Sequence, residues 1–251
     1  MSDMKDTVVV ITGASGGIGA AVAGLLAARG ASLVLVARRE AALREVAAHC
    51  GAQALPIVAD VTSRESVRAV VDQAIARFGH IDVWVNNVGQ GITTMPSQLT
   101  EEDIDEVMRV NVKSALYGMQ EVLPHFKSRG SGHVINISSM LGRIPMALIR
   151  SAYSASKHFL NALTANFRME VQETHPGIQF SIVSPGVVRT DFGNNARHGG
   201  PDSRSFPESQ SAEEVAEVIA GVIESRKPDV YTRTGAQAWV AKTYATIGVD
   251  P

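Results

Sequence analysis

Short apolar, β-branched runs recur along the chain, each followed by a longer segment with helical spacing. They are TVVVIT (7–12), SLVLVA (32–37), ALPIVA (54–59), IDVWVN (81–86), HVINIS (133–138) and FSIVSP (180–185). A strand with one covered face alternates apolar and polar residues. These runs are almost continuously apolar, as in a parallel sheet with helices against both of its faces. Between them apolar residues stand three and four apart, as in Val22, Leu25 and Leu26, and again in Ile104, Val107, Met108, Ala115 and Met119. The alternation predicts an α/β fold built on a doubly wound parallel sheet of about seven strands. The last strand is expected at DVYT (229–232), after a helix over 212–226.

No internal repeat and no linker interrupts the 251 residues, which predicts one domain over 1–251. The one long irregular stretch, TDFGNNARHGGPDSRSFPESQ (190–210), is rich in Gly, Pro and polar residues. Stretches of that length inside a compact unit are usually functional, so it is expected to be a flexible lid. A formal net charge of −2 gives no electrostatic reason to bind nucleic acid or an anionic membrane. The longest apolar run, Ala20–Ala28, falls far short of the roughly 20 residues that span a bilayer. MSDMKDTVVVIT has no basic start followed by a long apolar stretch, so no secretory leader is expected. Cys50 is alone and cannot form an internal disulfide, and the seven His are scattered, so no metal site stands out. The expectation is a cytoplasmic protein that handles a small molecule.

The first run leads straight into TGASGGIG, with Gly13, Gly17 and Gly19 where a strand turns into a helix. Residues without side chains let the backbone approach a pyrophosphate, and the positive end of the following helix attracts it. The spacing is G-x-x-x-G-x-G, and no Gly-Lys-Ser/Thr follows, which disfavours a P-loop. Glycines also serve tight turns for structural reasons alone; their place between strand and helix favours a dinucleotide. The second strand ends in VARRE. Ala37 stands where an NAD site usually offers an acid for the ribose 2′-hydroxyl, and Arg38 and Arg39 follow. Guanidinium can hold a 2′-phosphate with paired hydrogen bonds, so the expected cofactor is NADP(H). The alternative is that these arginines solvate the start of a helix.

SAYSASKHF (151–159) places Tyr153 and Lys157 four residues apart with small residues between them. On a helix both side chains leave the same face. An ammonium beside a phenol favours the phenolate, so Tyr153 is expected to titrate below its reference value of about 10. It would then serve as a proton donor and acceptor near neutral pH. A surface tyrosine with a chance lysine neighbour is the alternative. Asn111 lies four residues after Val107 and four before Ala115, on the apolar stripe of its helix. A buried amide without partners costs on the order of 1–3 kcal/mol. Asn111 is therefore expected either to satisfy a neighbouring strand's backbone or to serve the site.

In chain order, TGASGGIG, ADV (59–61), NNVG (86–89), Asn111, INISS (135–139), Tyr153 with Lys157, and SPGVVRT (184–190) resemble the short-chain dehydrogenase/reductase family in its common single-domain form. The resemblance runs from end to end. It implies a Rossmann-like fold and hydride transfer between a nicotinamide and a carbonyl or alcohol. It implies that Ser15 and Ile18 join the glycines at the cofactor, and that Asp60, with Val61, meets the adenine. Asn87 and Gly89 would run along the cofactor, and Thr190 and the backbone near Val188 would fix its carboxamide end, with Pro185 and Gly186 shaping the turn beside it. Tyr153 would give its proton to the carbonyl oxygen, and Ser139 would steady that oxygen where charge develops. Lys157 would hold the nicotinamide ribose and keep the tyrosine acidic. Asn111 would bend its helix and hold a water that relays protons towards Lys157.

Two departures stand out. NNVG replaces the more usual NNAG, and the family's thirteen-residue Ser–Tyr separation becomes fourteen from Ser139, since thirteen lands on Met140. Ser139 stands three residues before Gly142, matching the family's local pattern. The extra residue is therefore assigned to GRIPMALIRSA (142–152), with Ser138 as the alternative.

The leading reading is an NADP(H)-dependent carbonyl reductase, reversibly an alcohol dehydrogenase. An idle dinucleotide-binding sensor or scaffold is the alternative, but it has no need of serine, tyrosine and lysine together. A nucleotide-sugar epimerase of the longer branch would need a larger C-terminal domain than 251 residues leave. Gln90, Leu141, Met146, Ile149, Val187 and Phe192 are expected around the substrate; mostly apolar, they favour a hydrophobic ketone or aldehyde. Arg143 and Arg150 could bind an anionic group, but solvated surface arginines are the favoured reading. The resemblance also implies a homodimer or homotetramer, formed through the helices that hold Asn111 and Tyr153.

Overall fold

The computed structural model describes residues 4–248, so the outermost ends of the 1–251 unit and the first residues of MSDMKDTVVVIT lie outside the described residues. Its strands are β1 (Val8–Thr12), β2 (Ser32–Ala37), β3 (Ala54–Val58), β4 (Val83–Asn86), β5 (Gly132–Ile137), β6 (Ile178–Ser184) and β7 (Asp229–Tyr231). They form one sheet in the order β3-β2-β1-β4-β5-β6-β7, and every pair is parallel. The helices are α1 (Gly17–Ala28), α2 (Glu40–Cys50), α3 (Arg64–Phe78), α4 (Glu101–Met108), α5 (Ser114–Arg129), α6 (Ser151–Gln172), α7 (Ala212–Ser225) and α8 (Ala236–Tyr244).

The continuous apolar runs are explained by two cores, one on each face of the sheet. Val9, Ile11, Leu33 and Leu35 pack with Val22 and Leu26 of α1 and Ile219 of α7. Their neighbours Val10, Val34 and Trp84 point the other way, to Val70 of α3 and Phe126 of α5. Successive strand residues thus feed opposite cores, each fully buried side chain contributing about 1.5–3 kcal/mol. Pro56 falls in β3, an edge strand bonded only to β2, where its missing N–H is tolerated.

The helix expected through Ile104 and Met119 is interrupted. A π-helical turn, Arg109–Lys113, joins α4 to α5. One extra residue swings the apolar stripe by roughly 100°. Val107, Ala115 and Met119 are buried, whereas Ile104 is exposed, so its place on the stripe is corrected.

The chain runs outward from β1 to β2 and β3, then returns to place β4 on the other side of β1. Such a reversal opens a crevice at the carboxyl ends of the strands. Gly13 and Asn87 follow the two strands that flank it. A buried polar chain seats α6 beside this crevice. Trp84 Nε1 donates to Asn86 Oδ1 (2.7 Å), Asn86 Nδ2 to Asn136 Oδ1 (2.8 Å), and Asn136 Nδ2 to Thr164 Oγ1 of α6 (2.8 Å). Among the described residues no helix is long and apolar enough to cross a membrane.

Candidate active site

A cavity of about 920 Å³ follows the crevice from the end of β2 to the start of α6. At its centre is the glycine turn. Gly13 has φ +69°, and a Cβ there would stand 2.9 Å from Asn87 Nδ2. Asn87 holds the turn: its N–H donates to Thr12 Oγ1 (3.0 Å), and its Nδ2 to the carbonyls of Thr12 (3.0 Å) and Gly13 (3.3 Å). Gly16, Gly17 and Ile18 form the wall where α1 begins, and no side chain caps that helix. Its first N–H groups are available to an anion, so the residues present fit a dinucleotide pyrophosphate. Gly19, expected as a cofactor contact, does not reach the cavity. A Cβ there would lie 2.4 Å from the Gly13 carbonyl oxygen, so its role is close packing behind the turn.

Past the end of β2, Arg38 and Arg39 line one end of the cavity with Ser15, Asp60 and Val61. Arg39 donates to Ser15 through Nε to Oγ (3.2 Å) and Nη2 to the carbonyl (3.1 Å). Arg38 Nη1 stands 3.9 Å from Asp60 Oδ2. Burial opposes ionisation of Asp60. The N–H and hydroxyl of Thr62 and the charges of Arg38 and Arg109 outweigh it and hold the carboxyl below its usual range.

At the other end, α6 brings Tyr153 and Lys157 to the same wall. The Tyr153 hydroxyl is hydrogen-bonded to Ser139, and Phe192 meets its ring edge-on at 5.5 Å. Lys157 Nζ lies 5.8 Å from the centre of that ring and donates to the Ile137 carbonyl at 2.8 Å. Both side chains are buried, with Tyr153 7% and Lys157 3% exposed. Burial pushes the Tyr153 phenol up to about 12, against the opposing bond from Ser139 and the charge of Arg150. This corrects the expectation of a lowered value: loss of hydration outweighs the nearby cations, and Tyr153 is protonated at neutral pH. Burial also pushes Lys157 down to about 8.

Ser139 and Ser138 are separated by their surroundings. Ser139 accepts from the Leu141 N–H (3.1 Å) at the start of a tight turn, Met140–Gly142, and faces Tyr153. Ser138 continues the sheet by donating its N–H to the Val183 carbonyl (2.7 Å), and its buried hydroxyl has no partner. Ser139→Ala is expected to lower turnover by about 100-fold, the cost of one oriented donor at a developing oxyanion. Ser138→Ala should change it little; steady-state assays of the two variants decide, and the reverse order overturns the choice.

Asn111 sits in the π turn, fully buried. Its Oδ1 accepts from the Gln90 N–H (2.7 Å), and its Nδ2 donates to the Gln90 carbonyl (3.0 Å) and Ser156 Oγ (3.0 Å). The amide thus satisfies the backbone after β4 and does not line the cavity. Gly89 lies between this amide and the lysine: a Cβ there would stand 3.5 Å from Asn111 Oδ1 and from Lys157 Nζ.

The remaining expected residues gather where β6 ends. Pro185, Gly186, Val187, Val188 and Thr190 all line the cavity, and Thr190 Cγ2 would stand 3.2 Å from a Cβ on Gly17. Gln90, Leu141, Met146, Ile149 and Phe192 line it near Tyr153. The 190–210 stretch is tied at its middle. Arg197 exchanges backbone bonds with Gly91 (2.9 Å) and Thr93 (3.0 Å), and Asp103 Oδ1 accepts from Arg197 Nε (2.5 Å) and His198 Nε2 (2.8 Å). Arg143 pairs with Asp229 outside the cavity. Arg150 is half-buried rather than on the open surface. It lines the cavity, because the turn Leu148–Arg150 directs it under the 190–210 stretch.

A family model described as short chain dehydrogenase matches residues 7–200. The chain belongs to the short-chain dehydrogenase family. An uncharacterized oxidoreductase of Staphylococcus epidermidis is 36% identical over 203 residues, covering 78% of this chain and 87% of that protein. Among solved structures, a short-chain dehydrogenase from Burkholderia phymatum in complex with NAD shares the fold, with a TM-score of 0.88. It is 24% identical, over 100% of this chain and 99% of that one. An alcohol dehydrogenase from the archaeon Thermococcus sibiricus complexed with 5-hydroxy-NADP has a TM-score of 0.79 and 28% identity, covering 90% of this chain and 95% of that one. The short-chain dehydrogenase assignment makes this chain an oxidoreductase.

Proposed function

We propose that the protein is an NADP(H)-dependent oxidoreductase that interconverts a ketone or aldehyde and an alcohol. One observation carries this reading: Ser139, Tyr153 and Lys157 converge at one end of a cavity whose middle is a glycine turn at an uncapped helix. The nicotinamide, when bound, supplies or accepts the hydride. Tyr153, protonated at neutral pH, donates its proton to the carbonyl oxygen while Ser139 hydrogen-bonds that oxygen. The Lys157 ammonium lies near enough to steady the tyrosinate left behind. Carbonyl, hydride and proton balance to the alcohol, and oxidation runs the same path in reverse. Asn111 supports the site by holding the Gln90 backbone, with its two Nδ2 donors already engaged.

NADP(H) is favoured by the two guanidinium groups at the end of β2 and by Ala37 in place of an acid. The same reading takes the chain as one domain closed by 190–210, working in the cytoplasm as a homodimer or homotetramer. A panel of carbonyl compounds and alcohols, followed by NADPH and NADP absorbance, tests it; no turnover across the panel counts against it. Arg38→Asp should raise the KM for NADPH by about 10- to 100-fold, since it removes a charge-assisted contact and adds repulsion. NADH should be affected far less. Equal use of NADH and NADPH by the unaltered protein would show the reading of Arg38 to be wrong.

A further inference from the structure

Arg150 is a charged group near Tyr153 that the proposed reaction leaves without a task. It ends the turn leading into α6, three residues before the tyrosine. Its Nη1 donates to the Ile92 carbonyl at 3.2 Å. The guanidinium lies between two glycines: a Cβ on Gly91 would stand 2.6 Å from Nη1, and one on Gly200 2.8 Å from Nη2. It is half-buried and lines the cavity, and among the described residues no carboxylate pairs with it. A guanidinium offers five N–H donors, and one carbonyl does not use them. Drawing such a charge out of water without an anion is unfavourable.

We propose that Arg150 is the anchor for a carboxylate carried by the substrate, so that the carbonyl compounds reduced here are oxo-acids with an apolar body. This rests on the carbonyl-reductase reading. The planar fork matches the two oxygens of a carboxylate. The walls beside it are apolar, with Met146, Ile149 and Phe192, which suits one carboxylate on an apolar frame better than a phosphate. The substrate then spans from its carbonyl at Tyr153 to its carboxylate at Arg150.

The test compares 4-acetylbenzoate and phenylglyoxylate with their methyl esters, on the unaltered protein, Arg150→Lys and Arg150→Met. The unaltered protein should favour the acids in kcat/KM. Arg150→Met should lower the acid-to-ester ratio by about 10- to 100-fold, mainly through KM, with Arg150→Lys between. A structural role alone would lower acid and ester together and leave the ratio unmoved, which overturns the proposal. Calorimetric binding of the same four compounds, with and without NADP, reads the preference without turnover; equal binding of acid and ester also overturns it. If the acids bind preferentially and nothing is reduced, the reductase reading fails and the anchor stands.

Discussion

Tyr153→Phe is expected to bind NADPH like the unaltered protein and to lose turnover by about 100- to 10,000-fold, the contribution of one positioned proton donor. The ring stays, so its contact with Phe192 and its burial stay with it. Only the hydroxyl bonded to Ser139 is removed. Fluorescence titration with NADPH alongside a steady-state assay separates the two effects. A variant that turns over at the original rate would remove Tyr153 as the proton donor, whereas an idle dinucleotide-binding protein would bind NADPH and show no turnover with either residue.

Lys157 sets the second large effect. With its ammonium pushed down to about 8, kcat/KM for reduction should be level at neutral pH and fall above about pH 8 as the charge is lost. The tyrosine, at about 12, titrates beyond that limb. Lys157→Met should cost about 100-fold or more at pH 7 and remove the limb. Its stability should change in the opposite direction. A base whose folded pKa lies below its unfolded value binds fewer protons when folded, so stability rises with pH between about 8 and 10.5. Below that window the buried charge is a full penalty, on the order of 3 kcal/mol. Lys157→Met should therefore melt higher than the unaltered protein at pH 7, with the gap closing towards pH 10.5. Thermal melts across that range check the sign; a variant that melts lower at pH 7 would mean that the bond to the Ile137 carbonyl outweighs desolvation.

Particular residues show how much of the site was legible. The glycine turn and the Tyr153–Lys157 pair could be read because both depend on local geometry: a strand-to-helix turn and one turn of helix. The close packing of Gly19 against the Gly13 carbonyl was not legible, since a sequence does not tell which neighbour a glycine faces. Ile104 was misplaced because the buried line of α4 runs through Val107 and Asp103, a polar residue that apolar spacing does not count. The choice of Ser139 over Ser138 turned on a loop whose conformation spacing alone does not determine.

Local pattern by itself determined the parallel sheet, the strand-to-helix glycine turn and the face shared by phenol and ammonium, because strand and helix periodicities are properties of neighbouring residues. Only the tertiary structure decided that Tyr153 titrates high rather than low, that Asn111 spends its amide on the Gln90 backbone, and that Arg150 turns inward under 190–210. Those outcomes depend on which distant segments remove water from a group and which carbonyls or charges replace it. Hydration and partner choice are set by packing across the fold.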